Sequence, residues 1–214
     1  MDAPIPLSAS MFLLAYDPTK ERLTSRGQLG LIMRAAALAE LHFAGHLVDQ
    51  DGRVGAVGNP NLGDPVLAAV FADVSAGRRP RTWAYWVQHH SRGFPDLVRD
   101  QLIEARLIRA EKRRILGLFT RQTITLRDAR ARGRLADRVR RVLRGGEPVD
   151  RVDLQDATTV ALAAAGELDI LIDRRQRREY KRRIEALSER VGPAAPALRK
   201  ALASQRAAAA SAAG

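Results

Sequence analysis

Hydrophobic positions recur along most of this chain at helical spacing, and the polar breaks between them predict where each element ends. Leu7 to Tyr16 is a short apolar stretch closed by Asp17-Pro18. Leu29 to Leu47 is a long helical pattern carrying Leu31, Met33, Ala37, Leu38 and Leu41, with Gly45 as its stop. Val48 to Val57 alternates around Asp51-Gly52, which predicts a hairpin. After a loop at Gly58 to Asp64, a helix is predicted over Pro65 to Ser75, with Asp64 as its cap and proline in the first turn. Gly77-Arg-Arg-Pro80 breaks the chain again. Thr82 to His90 then reads as a short helix presenting Trp83 and Trp86, and Pro95 to Ala105 as another.

The next segment changes period. Leu107 to Ala110 and Arg114 to Phe119 pair with Gln122 to Leu126 as strands, because Thr123-Ile-Thr-Leu126 alternates polar and apolar. Helices are predicted over Asp128 to Leu143, ended by Gly145-Gly146, then over Val152 to Ala165 and Asp169 to Val191. The pattern yields a mainly α domain over residues 1–192 that carries a β-hairpin. An alanine-rich tail over 193–214 is expected to be flexible. No repeat is visible.

Composition sharpens this picture. With 46% hydrophobic residues in 214, the chain can build a core, and aromatics at only 5% favour close-packed helices over sandwiches or barrels. Cysteine is absent, which excludes disulfides, thiolate metal sites and thiol nucleophiles. The start, Met1-Asp-Ala-Pro-Ile-Pro, lacks a basic segment followed by an apolar run, and no segment approaches the roughly 20 apolar residues of a membrane span. A cytoplasmic protein is expected, with any membrane attachment peripheral.

Charge is the strongest signal. The net charge is +12, and between Arg106 and Arg151 fifteen Arg/Lys face five Asp/Glu, so about +10 falls in that stretch. A polyanionic partner follows. Within it lies an apolar ribbon, Ile115-Leu-Gly-Leu-Phe119, flanked by Arg113, Arg114 and Arg121, suited to touching headgroups and hydrocarbon together.

Candidate chemistry is sparse. His42 and His46 have the i, i+4 spacing of two ligands on one helix face, but no third ligand is evident near them, so no metal centre is expected. No nucleophile elbow, Walker A run or dinucleotide fingerprint occurs, so the chain reads as a binding protein, neither an enzyme nor a cofactor carrier. Gly27-Gln-Leu-Gly30 opens a helix and could offer backbone N–H groups to an anion. Arg34 lies one turn into that helix among apolar or small neighbours, where a cation either snorkels to solvent or faces an anion. The basic hairpin has a competing meaning, the wing of a winged-helix nucleic-acid binder. The acids Asp96, Asp100 and Glu104 on the preceding helix argue against that.

The order of these patterns resembles the Golgi phosphoprotein 3 family over roughly Leu7 to Arg190. The resemblance lies in Phe12-Leu-Leu-Ala-Tyr-Asp17, the Leu29 to Leu47 helix with Arg34, Glu40-Leu41 and Gly45, Tyr85-Trp86-Val87, Leu102-Ile-Glu104 before the hairpin, and Thr158 to Ile172. It implies a hydrophobic helix bundle surrounded by amphipathic helices, with a protruding β-hairpin. It also implies a peripheral membrane adaptor: eukaryotic members bind phosphatidylinositol 4-phosphate in a basic pocket and retain glycosyltransferases in the Golgi. An arginine of that pocket falls on Arg34, a second near Arg92 and a third on Pro95, while a membrane-inserting tryptophan falls near Ser25. The resemblance thus assigns Arg34 and Arg92 to headgroup phosphate, and Arg26 and Arg99, as further forked donors, are expected at the rim. Arg114, Ile115, Leu116, Leu118 and Phe119 are assigned to membrane insertion or to pairing with a second subunit. The expected partners are anionic lipid and membrane-enzyme clients rather than nucleic acid.

Overall fold

A computed structural model describes residues 5–115 and 119–212. Among them are ten α-helices and three small antiparallel sheets, the mainly helical architecture expected from the pattern. Three helices form the apolar centre. In α1 (Leu7–Ala15) every residue is buried, including Ser8 and Ser10. In α2 (Arg26–Phe43) twelve residues are buried, from Leu29 to Leu41. In α7 (Leu154–Ala165) Ala157 to Ala165 are all buried. Helices that are apolar all round have to be enclosed, and amphipathic ones enclose them.

Two of those enclosing helices show why. In α5 (Phe94–Glu104) only Phe94, Val98 and Leu102 are buried, one residue per turn, and Asp96, Asp100 and Glu104 face solvent. That acidic outer face fits a phosphate backbone poorly, which counts against the winged-helix alternative. In α6 (Ala129–Arg144) Ala131, Leu135, Ala136, Val139, Val142 and Leu143 face inward, and Arg130, Arg134, Arg138, Arg140, Arg141 and Arg144 are exposed. Asp128 caps this helix by accepting the Arg130 N–H at 2.8 Å.

Close approach at the centre depends on glycine. A Cβ at Gly166 would lie 2.5 Å from Ile32 Cγ1, so the turn after α7 packs on α2 only because no side chain intervenes. Helix α3 (Pro65–Ser75) starts as its sequence predicts: the Asp64 carboxylate accepts the N–H groups of Val66 and Leu67 at 2.8 and 2.9 Å. After the short antiparallel pair β1 (Tyr16–Asp17) and β2 (Arg22–Leu23), strands β3 (Leu47–Gln50) and β4 (Arg53–Ala56) form the predicted hairpin around Asp51-Gly52, both at positive φ. The short strand β5 (Arg81–Thr82) joins its edge and leads directly into α4 (Trp83–Gln88).

The basic hairpin consists of β6 (Ile108–Ile115) and β7 (Phe119–Leu126), paired continuously from Ile108↔Leu126 to Ile115↔Phe119. Its base is anchored: Ile108 and Ile124 are buried and Leu107 and Leu126 pack on the core, whereas Arg109, Glu111 and Thr125 are exposed. Of the residues assigned to its tip, Arg114, Ile115 and Phe119 lie in the paired strands, while Leu116 and Leu118 lie outside the described residues.

Several boundaries differ from the sequence reading: the helix read to Leu47 ends at Phe43 and Leu47 opens β3, the strand read over Arg114 to Phe119 ends at Ile115 and Phe119 opens β7, and two helical stretches change late in the chain. The stretch read as one helix over Asp169 to Val191 is two, α8 (Arg174–Glu179) and α9 (Lys181–Arg190), meeting at Tyr180. Asp173 and Gln176 form a capping box that starts the first of them only at Arg174. The segment 193–214, expected as a flexible tail, contains helix α10 (Ala194–Ser211). Alanine has the highest helix propensity, and Ala194, Ala195, Ala197, Leu198, Ala201 and Leu202 are buried, so its first half belongs to the core. None of the described helices is long and apolar enough to cross a membrane.

Candidate anion-binding site

The N-terminus of α2 is the starting point. Its N-cap residue, Ser25, sits in the left-handed region at φ 52° and makes no side-chain cap. The positive end of the helix dipole is therefore presented without the usual hydroxyl or carboxylate over it. Beside it is a cavity of about 270 Å³ lined by Arg26, Gly27, Gly30, Ser91, Arg92 and Gln205, with Leu31 and Pro95 completing the wall. Arg26 and Arg92 are exposed, and neither is paired with a carboxylate among the described residues. Two forked guanidinium donors and a helix N-terminus converge there, an arrangement suited to phosphate oxygens.

The loop carrying Arg92 is held against α2 by a missing side chain. A Cβ at Gly30 would stand 1.9 Å from the Ser91 carbonyl oxygen, so only glycine lets the loop lie across the first turns of α2. The opposite wall comes from α10, whose Gln205 Nε2 donates to the Gly27 carbonyl at 3.1 Å. A larger adjoining hollow of about 530 Å³ shares Leu31, Ser91, Arg92 and Gln205 and adds Gln88, Ser204, Ala208 and Ala209. Gln205 could not be found by pattern reading, because alanine-rich surroundings hide it.

Arg34 is not part of this cavity, which corrects its assignment to direct phosphate contact. Its residue surface is 1% exposed. Nε donates to the Trp86 carbonyl at 2.7 Å, and one terminal nitrogen donates to Asp73 Oδ2, also at 2.7 Å. The Phe94 ring lies below the guanidinium, 5.5 Å from centroid to Cζ. Burial pushes the group's pKa down and Asp73 opposes the change. An apolar helix face one turn below Gly30 can accept an arginine only with such a partner set. Position alone left Arg34 between solvent and an anion; the anion is the protein's own aspartate.

Arg99 also lies apart from the cavity. It donates to Asp96 and Asp100 at 2.5 and 2.7 Å, tying it to its own helix. Of the four residues assigned to the headgroup, the structure brings Arg26 and Arg92 together, and pairs Arg34 with the half-buried Asp73 and Arg99 with the exposed Asp96 and Asp100. Trp83 and Trp86 are both buried, and Trp83 Nε1 donates to Asp49 at 2.5 Å, so neither offers a stacking surface.

Next to Arg34, the end of α4 gathers two histidines. His90 Nδ1 lies 3.4 Å from Asp73 Oδ2. The His89 ring stacks on His90 and on Tyr85, with centroids 3.9 and 5.5 Å away. Burial, with the charges of His90 and Arg34, holds the His89 imidazole below its ordinary pKa against the pull of Asp73. Neither histidine was singled out by spacing, because their partner Asp73 is remote in the chain.

Comparison with known proteins agrees with the architecture. No curated protein matches the chain. One family model does, that of Golgi phosphoprotein 3 (GPP34), and it spans residues 7–205, from the first buried helix to the Gln205 wall of the cavity. This chain belongs to the Golgi phosphoprotein 3 family.

Proposed function

We propose that this chain is a non-enzymatic, peripheral membrane-binding protein that takes the phosphate of an anionic, phosphoinositide-like headgroup between Arg26 and Arg92. The observation carrying this reading is the pairing of two exposed, carboxylate-free guanidiniums with an uncapped helix N-terminus around one cavity. Family membership points the same way, since phosphatidylinositol 4-phosphate is the ligand that the resemblance implies. The cavity can accept a phosphorylated ring at its mouth, and the adjoining hollow walled by Leu31, Ala208 and Ala209 leaves room for a larger headgroup.

The rest of the surface supports attachment to a negative membrane. The net charge of +12 favours an anionic leaflet, and each basic residue near such a surface contributes about 1 kcal/mol. The hairpin adds Ile115-Leu-Gly-Leu-Phe119 between arginines, a sequence fit for insertion or for self-association on the membrane. Recruitment of membrane-enzyme clients from the cytoplasmic side completes the adaptor reading.

Vesicle flotation tests it. The chain should float with phosphatidylcholine vesicles containing phosphatidylinositol 4-phosphate, float less with phosphatidylserine, and stay behind with phosphatidylcholine alone. Binding should weaken as salt rises from about 0.1 M to 1 M, where the screening length falls from about 10 to about 3 Å. Flotation indifferent to lipid charge would contradict the reading.

A further inference from the structure

Outside the anion pocket, a cluster of metal-ligating side chains among the described residues stands unassigned. Asp73, His89 and His90 each present a ligand atom, and these atoms lie within 4.8 Å of one another. We propose that Asp73, His89 and His90 form a binding site for a borderline divalent transition-metal ion of the zinc class. The donor set is two imidazoles and one carboxylate, which suits such an ion better than calcium or magnesium, whose sites are built from oxygen.

Three observations make this more than proximity. First, the backbone is bent to create it: His90 adopts φ 53°, a conformation uncommon for a residue with a side chain, and this brings consecutive rings to the same side at 3.9 Å. Second, the ligands are held from behind. His89 stacks on Tyr85 at an interplanar angle of 20° and meets Trp86 edge-on at 87°. Asp73 is fixed by the buried Arg34, which is itself anchored on the Trp86 carbonyl. A metal-binding carboxylate oriented by an outer hydrogen-bond donor is a recurrent arrangement, and its second oxygen and remaining lone pairs stay available for an ion.

Third, access is open. The His90 side chain is 68% exposed, against 22% for Asp73, so an ion can enter from solvent and His90 can turn to close the triangle. Zinc bonds of about 2.0–2.2 Å need the three ligand atoms drawn closer than their present limit, and the exposed ring is the one free to move. Water would complete the coordination. The bound ion would pin α3, through Asp73, to the loop that carries Arg92.

The test uses the full, untagged chain, freed of metal by a chelator and titrated with Zn²⁺ against a chromogenic competitor. Co²⁺ provides a visible absorption readout of the ligand set. One equivalent should bind, and Zn²⁺ should raise the Tm. His90→Asn suits the test because asparagine tolerates positive φ, so the loop geometry survives while the imidazole is lost. His90→Asn and His89→Gln should each weaken binding about tenfold or more, whereas a His42→Asn, His46→Asn double variant should bind as the parent does. Absence of uptake by the parent chain would overturn the site. So would unchanged uptake in the folded His89→Gln, His90→Asn double variant, or a loss confined to the His42, His46 variant.

Discussion

The guanidinium of Arg34 meets the carboxylate of Asp73 at 2.7 Å, with side-chain exposures of 2% and 22%. The pair is asymmetric: the cation is sealed in and the anion touches water. Asp73→Ala therefore strands a buried charge and should cost about 3–5 kcal/mol. Arg34→Met leaves an aspartate that water can reach and should cost less, about 1–3 kcal/mol. Urea unfolding of the two variants checks the order. Equal losses would mean that the ion pair is more hydrated than its geometry shows.

Gly30 has no room for a methyl group, since the Ser91 carbonyl oxygen would be 1.9 Å away and is backbone. Gly30→Ala should push the loop carrying Arg92 off α2, destabilise the protein by about 1–3 kcal/mol, and weaken anion binding together with stability. Gly27, beside which a Cβ would meet nothing within 4 Å, is the control. Gly27→Ala should leave the midpoint of unfolding at or above that of the parent.

Glu40 accepts the Leu7 N–H at 2.9 Å and so holds the first turn of α1. Burial raises its pKa above 4.5; the Leu7 bond opposes the rise and Asp64 adds to it. A carboxyl with a raised folded pKa binds more protons folded than unfolded. Its contribution is thus complete below about pH 4.5 and is lost as pH climbs through the folded value. Glu40→Gln keeps an acceptor for Leu7 without the charge. It should stabilise the protein at pH 7.5, with the gain vanishing on acidification, whereas Glu40→Ala, which loses the acceptor, should cost about 1 kcal/mol at low pH and less at pH 7.5, where it too removes the buried charge. Denaturant midpoints across that range supply the measurement.

Helix α10 divides into a buried half and an exposed half. Leu198→Ala should cost about 2–4 kcal/mol, as expected of a core leucine. Gln205→Ala should leave stability within about 1 kcal/mol of the parent while altering anion affinity, because its side chain bridges α10 to Gly27 at the cavity wall. A silent Leu198→Ala would mean that the segment after Pro193 does not pack.

The elements most legible in the sequence are those whose own residues set their limits. Asp64-Pro65 starts α3, Asp51-Gly52 turns β3 into β4, and the helix read over Pro95 to Ala105 matches α5 to within a residue at each end. What was not legible depends on contacts distant in the chain. The burial of Arg34 is decided by Asp73, 39 residues away, and no local pattern announces that partner. Alanine runs carry no amphipathic contrast, so α10 reads as a tail until the groove beside α2, α4 and α7 is seen to receive it. For the site, the family resemblance pointed to Arg92, and Arg26 was legible as a nearby forked donor, whereas the closing wall at Gln205 and the Gly30–Ser91 contact required coordinates.

The central claim, that a local pocket rather than overall charge binds the headgroup, is tested most directly by matched charge reversals in vesicle flotation. Arg26→Glu with Arg92→Glu alters the cavity, and Arg140→Glu with Arg141→Glu changes net charge equally on the outer face of α6. On vesicles containing phosphatidylinositol 4-phosphate, the first pair should abolish flotation and the second should only reduce it. Equal losses from the two pairs would contradict the account.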